Sequence, residues 1–171
     1  MLAVLATGCA ALQRDPFEVV DIGPCPEVLV LREAATGVWF APGTSGALTD
    51  VMYQTAIEPA RSICSYDEEE AIYDVELEVA ISATVGPAIK DLDISVPFFI
   101  SVVGPGGKIL AKDVFESEMN FEPGDRWIEV EERSLQSIFL GPNDTGADFD
   151  IVIGLQLTPE QLAYNRKAAA Q

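Results

Sequence analysis

The stretch YDVELEVAISATV, Tyr73 to Val85, decides the fold. Tyr73, Val75, Leu77, Val79, Ile81, Ala83 and Val85 are apolar. Asp74, Glu76, Glu78, Ala80, Ser82 and Thr84 fall between them. Successive side chains of a β-strand point to opposite faces, so a period of two puts the first set on one face and the second on the other. The stretch is therefore expected to be a long strand with one buried face and one wet, acidic face.

The same pattern continues outward from it. Ile94, Val96, Phe98, Ile100 and Val102 alternate in the next strand, where Pro97 points to an edge position or a bulge because proline cannot donate to a ladder. GPGGK (104–108) turns the chain, and ILAKDVFESEMNF (109–121) returns as a paired strand. Pro123-Gly124 suits a type II turn. RWIEVEE (126–132) is the following strand, GPNDTG (141–146) a loop, and Phe149, Ile151, Ile153, Leu155 and Leu157 the last strand. Upstream, EVLVLRE (27–33) and GVWFAP (37–42) read as short strands. VMYQTAIEPARSICSY (51–66) reads as a longer one interrupted near Pro59, with YDEEEAIYD (66–74) as its hairpin tip.

These elements predict an all-β, antiparallel sandwich of about seven or eight strands, with a small closed barrel as the rival. The hairpin VPFFISVVGPGGKILAKDVF (96–115) resembles the middle of immunoglobulin-like and fibronectin-type-III modules, and the resemblance covers residues 26–157 in general pattern. It implies an immunoglobulin-like sandwich. A short C-terminal helix follows over 158–171. Thr158 caps it, Pro159 opens the first turn, Gln161 closes the capping box, and Glu160 and Arg166/Lys167 suit the two ends of the dipole.

The chain has 171 residues, enough for one domain with one core. Its net charge is −18, from 28 acidic and ten basic residues. That surface repels phosphate backbones and anionic headgroups, so nucleic acid is not an expected partner and membrane attachment must be covalent or made through another protein. The chain contains no histidine, which removes Ser-His-Asp and Cys-His constellations and His-based zinc sites.

The N-terminus, MLAVLATGCAALQ, carries Leu5-Ala6-Thr7-Gly8-Cys9, which resembles the lipobox of bacterial lipoproteins. The resemblance implies a diacylglyceryl group on the Cys9 thiol, cleavage before Cys9, and further acylation; two or more chains give stable anchoring. Ala10 after the cysteine implies sorting to the outer membrane, with the domain facing the periplasm. Ala6 replaces the commoner leucine, and the basic and apolar leader is short, so the remainder is expected upstream of Met1. Residues 1–8 are then a signal-peptide remnant, and 9–25 a lipidated tether rich in small, polar and proline residues. A buried first strand is the alternative reading.

With Cys9 lipidated, Cys25 and Cys64 remain as a pair that an oxidising periplasm would bridge; two separate buried thiols is the alternative. Asn143, Asp144, Asp148 and Asp150 are a weak oxygen-rich candidate for a cation, with Asp148 and Asp150 read on one strand face. Asp67, Glu68, Glu69 and Glu70 lack the spacing of a calcium loop and read as a solvated tip. Asp74, Glu76 and Glu78 stand at carboxylate-pair distances on any strand, so their spacing does not mark catalysis. Lys90, Lys108 and Lys112 near Ser95 and Ser101 lack any sign of an activated serine. Trp39 and Trp127 are expected in the core. No catalytic residue, metal site or cofactor is expected. The sequence points to a non-catalytic envelope lipoprotein that meets a protein partner, with a periplasmic calcium- or small-ligand-binding module as the alternative.

Overall fold

A computed structural model of the chain describes residues 23–44 and 46–169. The described residues form nine strands and one helix. The strands are β1 (Glu27–Val30), β2 (Thr36–Phe40), β3 (Val51–Ile57), β4 (Arg61–Asp67), β5 (Ile72–Val85), β6 (Asp93–Gly104), β7 (Lys108–Asn120), β8 (Trp127–Phe139) and β9 (Asp150–Leu155). The helix α1 spans Pro159–Ala169. Two sheets pack face to face as a β-sandwich. One has the order β1-β9-β6-β7; in the other, β2 pairs with β3, β3 and β4 share one edge of β5, and β8 takes the opposite edge. The sandwich, and not the barrel, is the architecture.

β5 is the hub of the second sheet. All thirteen residues of β8 pair with it, from Ile72 opposite Phe139 to Thr84 opposite Trp127. Its apolar set faces inward as its period requires: Val75, Leu77, Val79, Ile81 and Ala83 are each at most 2% exposed. They join one cluster with Val96, Phe98 and Ile100 of β6 and Ile151, Ile153 and Leu155 of β9. Each such aliphatic side chain contributes roughly 1.5–3 kcal/mol on full burial.

Several expectations are corrected. Nine strands replace seven or eight. The first pairs with the last in parallel, Glu27 beside Asp150 through Val30 beside Ile153, so the sheets are not wholly antiparallel. β8 runs on past Glu132 to Phe139. Leu157 lies beyond β9, where the chain turns toward α1.

Pro97 lies in β6, which sits between β7 and β9 and is not an edge strand. The reason it is tolerated is local. Its carbonyl accepts the Gln156 N–H at 2.8 Å, just past the last β9 pair, Phe98 with Leu155. A strand residue directs its N–H and C=O to the same side, so the missing donor falls where the β9 ladder has already ended.

The turns follow their residues. Gly124 has φ +108°, the left-handed backbone that its place after Pro123 calls for. Gly154 has a different duty: a Cβ there would lie 2.8 Å from the Phe99 ring, so its hydrogen lets that ring lie flat on β9.

Two covalent or polar ties fix the periphery. Cys25 and Cys64 are bridged, with Cα atoms 6.3 Å apart and a sequence separation of 39. Closing such a loop stabilises the fold by about 4 kcal/mol in the chain-entropy model. α1 begins with the expected capping box: Thr158 N–H donates to Gln161 Oε1 at 2.9 Å and Gln161 N–H to Thr158 Oγ1 at 3.3 Å. Asn165 Nδ2 donates to the Thr36 carbonyl at 2.7 Å, and Arg166 reaches Glu33 at 2.7 Å, which holds the helix beside β2.

Burial, with a smaller push from the Glu116 carboxylate, raises the Tyr53 phenol to about 12. A phenol whose pKa is raised on folding is held neutral, and the unfolded chain titrates near ~10. The stability linked to this group is therefore intact below pH ~10 and is lost as pH climbs toward the folded value. Tyr53→Phe should flatten the fall in urea-unfolding stability across that interval. A fall as steep as that of the parent would mean another group drives alkaline unfolding.

Candidate functional site

The outer face of β4, β5 and β8 carries the most distinctive chemistry. Register sets it out in rows across the three strands. Arg61, Glu78 and Arg133 form one row, and Ile63, Glu76 and Leu135 the next. Ser65, Asp74 and Ser137 follow, then Asp67, Ile72 and Phe139. Rows repeat every ~7 Å along the strands. A cleft of about 800 Å³ opens over the first two rows, lined by Arg61, Ile63, Glu76, Glu78, Arg133 and Leu135 among others. A smaller one of about 260 Å³ continues it toward Glu58, Glu129 and Glu131.

In the first row Glu78 is gripped from both sides. Arg61 Nη1 donates to Oε1 at 3.1 Å and Arg133 Nη2 to Oε2 at 3.2 Å. Both guanidiniums are largely exposed, at 83% and 77%, so each pair adds only about 0.2–1 kcal/mol and both arginines keep donors facing water. The second row is apolar at its flanks: Ile63 is 74% exposed and Leu135 57%, and Phe139 further along is 72% exposed. These apolar side chains stand on a wet sheet face, the first two separated by Glu76. Asp74 accepts the Ser137 hydroxyl at 2.5 Å, which ties the third row together.

None of these flanking residues stands out in the sequence. A signal is nevertheless present in β8. Ile128 and Val130 face inward, but beyond them the inward phase becomes Glu132, Ser134 and Gln136, and the outward phase acquires Leu135 and Phe139. The switch in phase places apolar side chains on the wet face.

The other candidates are resolved by local bonding. Asp144 Oδ2 accepts the Gly141 N–H at 2.9 Å. Asp148 Oδ2 accepts both the Thr145 N–H at 2.8 Å and its hydroxyl at 2.9 Å, and these bonds lower the Asp148 pKa, the backbone bond foremost. Asp148 ends a single 3₁₀ turn, Gly146–Asp148, so it does not share a strand face with Asp150, which begins β9. Asn143 lies in the preceding loop. At the β4–β5 tip Asp67 Oδ1 accepts the Glu69 and Glu70 N–H groups at 2.8 and 3.0 Å. Both acidic groups do turn chemistry. Among the described residues, no group of three or more Cys, Asp and Glu side chains is placed to hold a metal ion.

Ser101 and Lys112 stand directly opposite each other on β6 and β7. Lys112 Nζ, however, lies 4.1 Å from the centre of the Phe99 ring, and Ser101 is buried at 4% exposure. Ser95 donates its hydroxyl to Glu116 at 2.6 Å, so its proton is already directed to a carboxylate. Trp39 packs on the core and stacks on Tyr53 with ring centres 5.1 Å apart. Trp127 is 55% exposed, contrary to expectation, because its register opposite Thr84 puts it on the outer phase of β5. Cys9, the expected lipidation site, and the 9–22 part of the tether lie outside the described residues.

Compared with protein-family models, curated proteins and solved structures, the chain matches none.

Millimolar calcium is expected to leave the melting temperature unchanged to within about 1 °C, because the carboxylates at 144 and 148 are engaged by their own turns. A melt that rises steadily with calcium concentration would restore the ion-binding alternative.

Proposed function

We propose that this protein is a non-catalytic lipoprotein of a bacterial envelope, anchored at the outer membrane through acylated Cys9, whose β-sandwich docks a protein segment on the outer face of β4, β5 and β8. The observation that carries the docking reading is the row Ile63-Glu76-Leu135, two exposed aliphatic walls beside an acidic floor. Including its extension, the cleft presents Glu58, Glu76, Glu78, Glu129 and Glu131 against Arg61 and Arg133. That surplus of negative charge selects an extended segment in which basic and apolar residues alternate. The basic residues meet the glutamates and the apolar ones meet Ile63 and Leu135.

The anchoring reading is supported by the resemblance of residues 5–9 to a lipobox and by the Cys25–Cys64 bridge. The bridge leaves Cys9 as the odd cysteine, suits an oxidising compartment, and staples the end of the tether to β4. With a net charge of −18, adsorption to anionic headgroups is unfavourable, and a covalent anchor removes the need for it. The absence of histidine from the chain and the turn duties of Asp144 and Asp148 favour a binding role over a catalytic one.

On expression from its own gene in its native host, the wild type should partition with membranes and Cys9→Ser with the soluble fraction. Identical partitioning defeats the anchoring reading. Docking has its own readout. An alternating Lys–Val peptide should perturb amide resonances of β4, β5 and β8, and a Glu–Val peptide should not. Leu135→Glu should abolish the response while the protein stays folded. Equal responses to both peptides, or a response centred elsewhere, defeat the docking site.

A further inference from the structure

We propose that the free edge of β7 pairs with the same edge of a second copy of this chain, forming an antiparallel two-fold dimer centred on Val114. β7 spans thirteen residues and pairs only with β6, so its other edge has no partner strand among the described residues. From Lys108 to Val114 it is exposed on both faces, with Ile109 61%, Leu110 50% and Val114 53% exposed. An open, apolar strand edge is a template for another strand unless it is blocked.

Proline, one usual block, is missing from the strand, and the charges it carries, Lys112 and Glu116 foremost, are of opposite sign. Its register irregularity against β6 falls near the hairpin, between Val102 and Val103, and pairing is regular from Ala111 to Asn120. Lys112 holds its ammonium over the Phe99 ring, on the same outer face as the Glu116 carboxylate that accepts the Ser95 hydroxyl. The other long edge, β8, differs: Glu129, Glu131 and Glu132 line it.

The pattern of β7 is self-complementary. Lys112, Val114 and Glu116 occupy one face at i, i+2 and i+4. A two-fold axis through Val114 sets Val114 against its counterpart and each Lys112 against the second copy's Glu116. Two cross-strand ion pairs flank an apolar pair. Among other centres that keep both outer faces on one side, axes through Lys112, Asp113 or Glu116 oppose like charges. An axis through Phe115 pairs Lys112 with Glu118 but sets Val114 against Glu116 next to the centre, whereas the Val114 axis has its mismatch, Leu110 against Glu118, at the far end, where Leu110 already lies outside the regular ladder. The charge of the whole chain opposes self-association, but β7 itself is close to neutral, with Lys108 and Lys112 against Asp113, Glu116 and Glu118. At physiological ionic strength, repulsion between more distant charges is screened beyond about 8 Å. The isologous contact uses the same patch on both copies and closes at two.

Charge exchange tests this. Full-length protein carrying Cys9→Ser should sediment as a monomer–dimer equilibrium near 0.15 M salt. Lys112→Glu and Glu116→Lys should each weaken self-association at least about tenfold. Mixing these two variants should restore a heterodimer, since each supplies what the other needs, and the double exchange should restore the homodimer. In a parallel arm, Val114→Cys should form a covalent dimer on mild oxidation. A parent that stays monomeric up to about 100 µM overturns the proposal. So does a mixture no more associated than its components, or a Val114→Cys chain that fails to crosslink.

Discussion

Everything in this molecule hangs on the burial of one face of β5. Its fourteen residues have to hide a continuous apolar stripe, and a lone strand cannot do so. β6 and β9 cover the stripe from the opposite sheet, where Ile100, Ile151 and Ile153 are each at most 1% exposed. β3 and β4 on one edge and β8 on the other satisfy its backbone. Because the side-chain period is two, fixing the inner face also fixes the outer one. The packing that buries Leu77 thus necessarily lifts Glu76 and Glu78 into water, and the cleft's floor is a by-product of the core.

That coupling explains what could and could not be read from the chain alone. Tyr73–Val85 and the β6–β7 hairpin were legible because alternation, proline and glycine all agreed. The capping box of α1 was legible because its two partners lie three residues apart. The disulfide was foreseen as one option from cysteine count, and the 6.3 Å separation of its Cα atoms settles the pairing. The cleft was not legible. Glu78 meets Arg61 from 17 residues away and Arg133 from 55, and only strand register brings them into one row. The second half of β8 was lost for a related reason: once Glu132, Ser134 and Gln136 occupy the inward phase, the alternation that announces a half-buried strand disappears. Glu132 tolerates that position because it accepts the hydroxyl of the fully buried Ser117 at 2.7 Å. The parallel β1–β9 pair was missed because a four-residue edge strand carries no signal of its partner's direction.

The same bond shows how the two sheets are joined on one side. Ser117 of β7 and Glu132 of β8 connect strands on the neighbouring edges of opposite sheets. Next to that tie Met119 and Phe121 are buried, so the sandwich closes there. Toward Lys108 it does not: β7 emerges with both faces wet, and the inner phase of β8 turns polar. Among the described residues, a long strand edge and the outer face of β4, β5 and β8 are therefore left uncovered on the side away from α1. The helix and the 32–34 turn, tied by Arg166 to Glu33, lie beside β2 instead.

Charge placement sharpens the contrast between these regions. With 28 acidic residues against ten basic ones, a cation is the scarce resource. Arg61 and Arg133 are both committed to Glu78, so the middle of the cleft is the one place on its floor where negative charge is locally overmatched. In the next row Glu76 is flanked by Ile63 and Leu135, which offer it no donor. A carboxylate between two aliphatic side chains is cheap while water reaches it and becomes costly when a neutral surface covers it. An occupant of that row must therefore bring a cation of its own. In the docking role proposed above, that cost makes the face selective by exclusion as much as by attraction, against acidic and neutral strands.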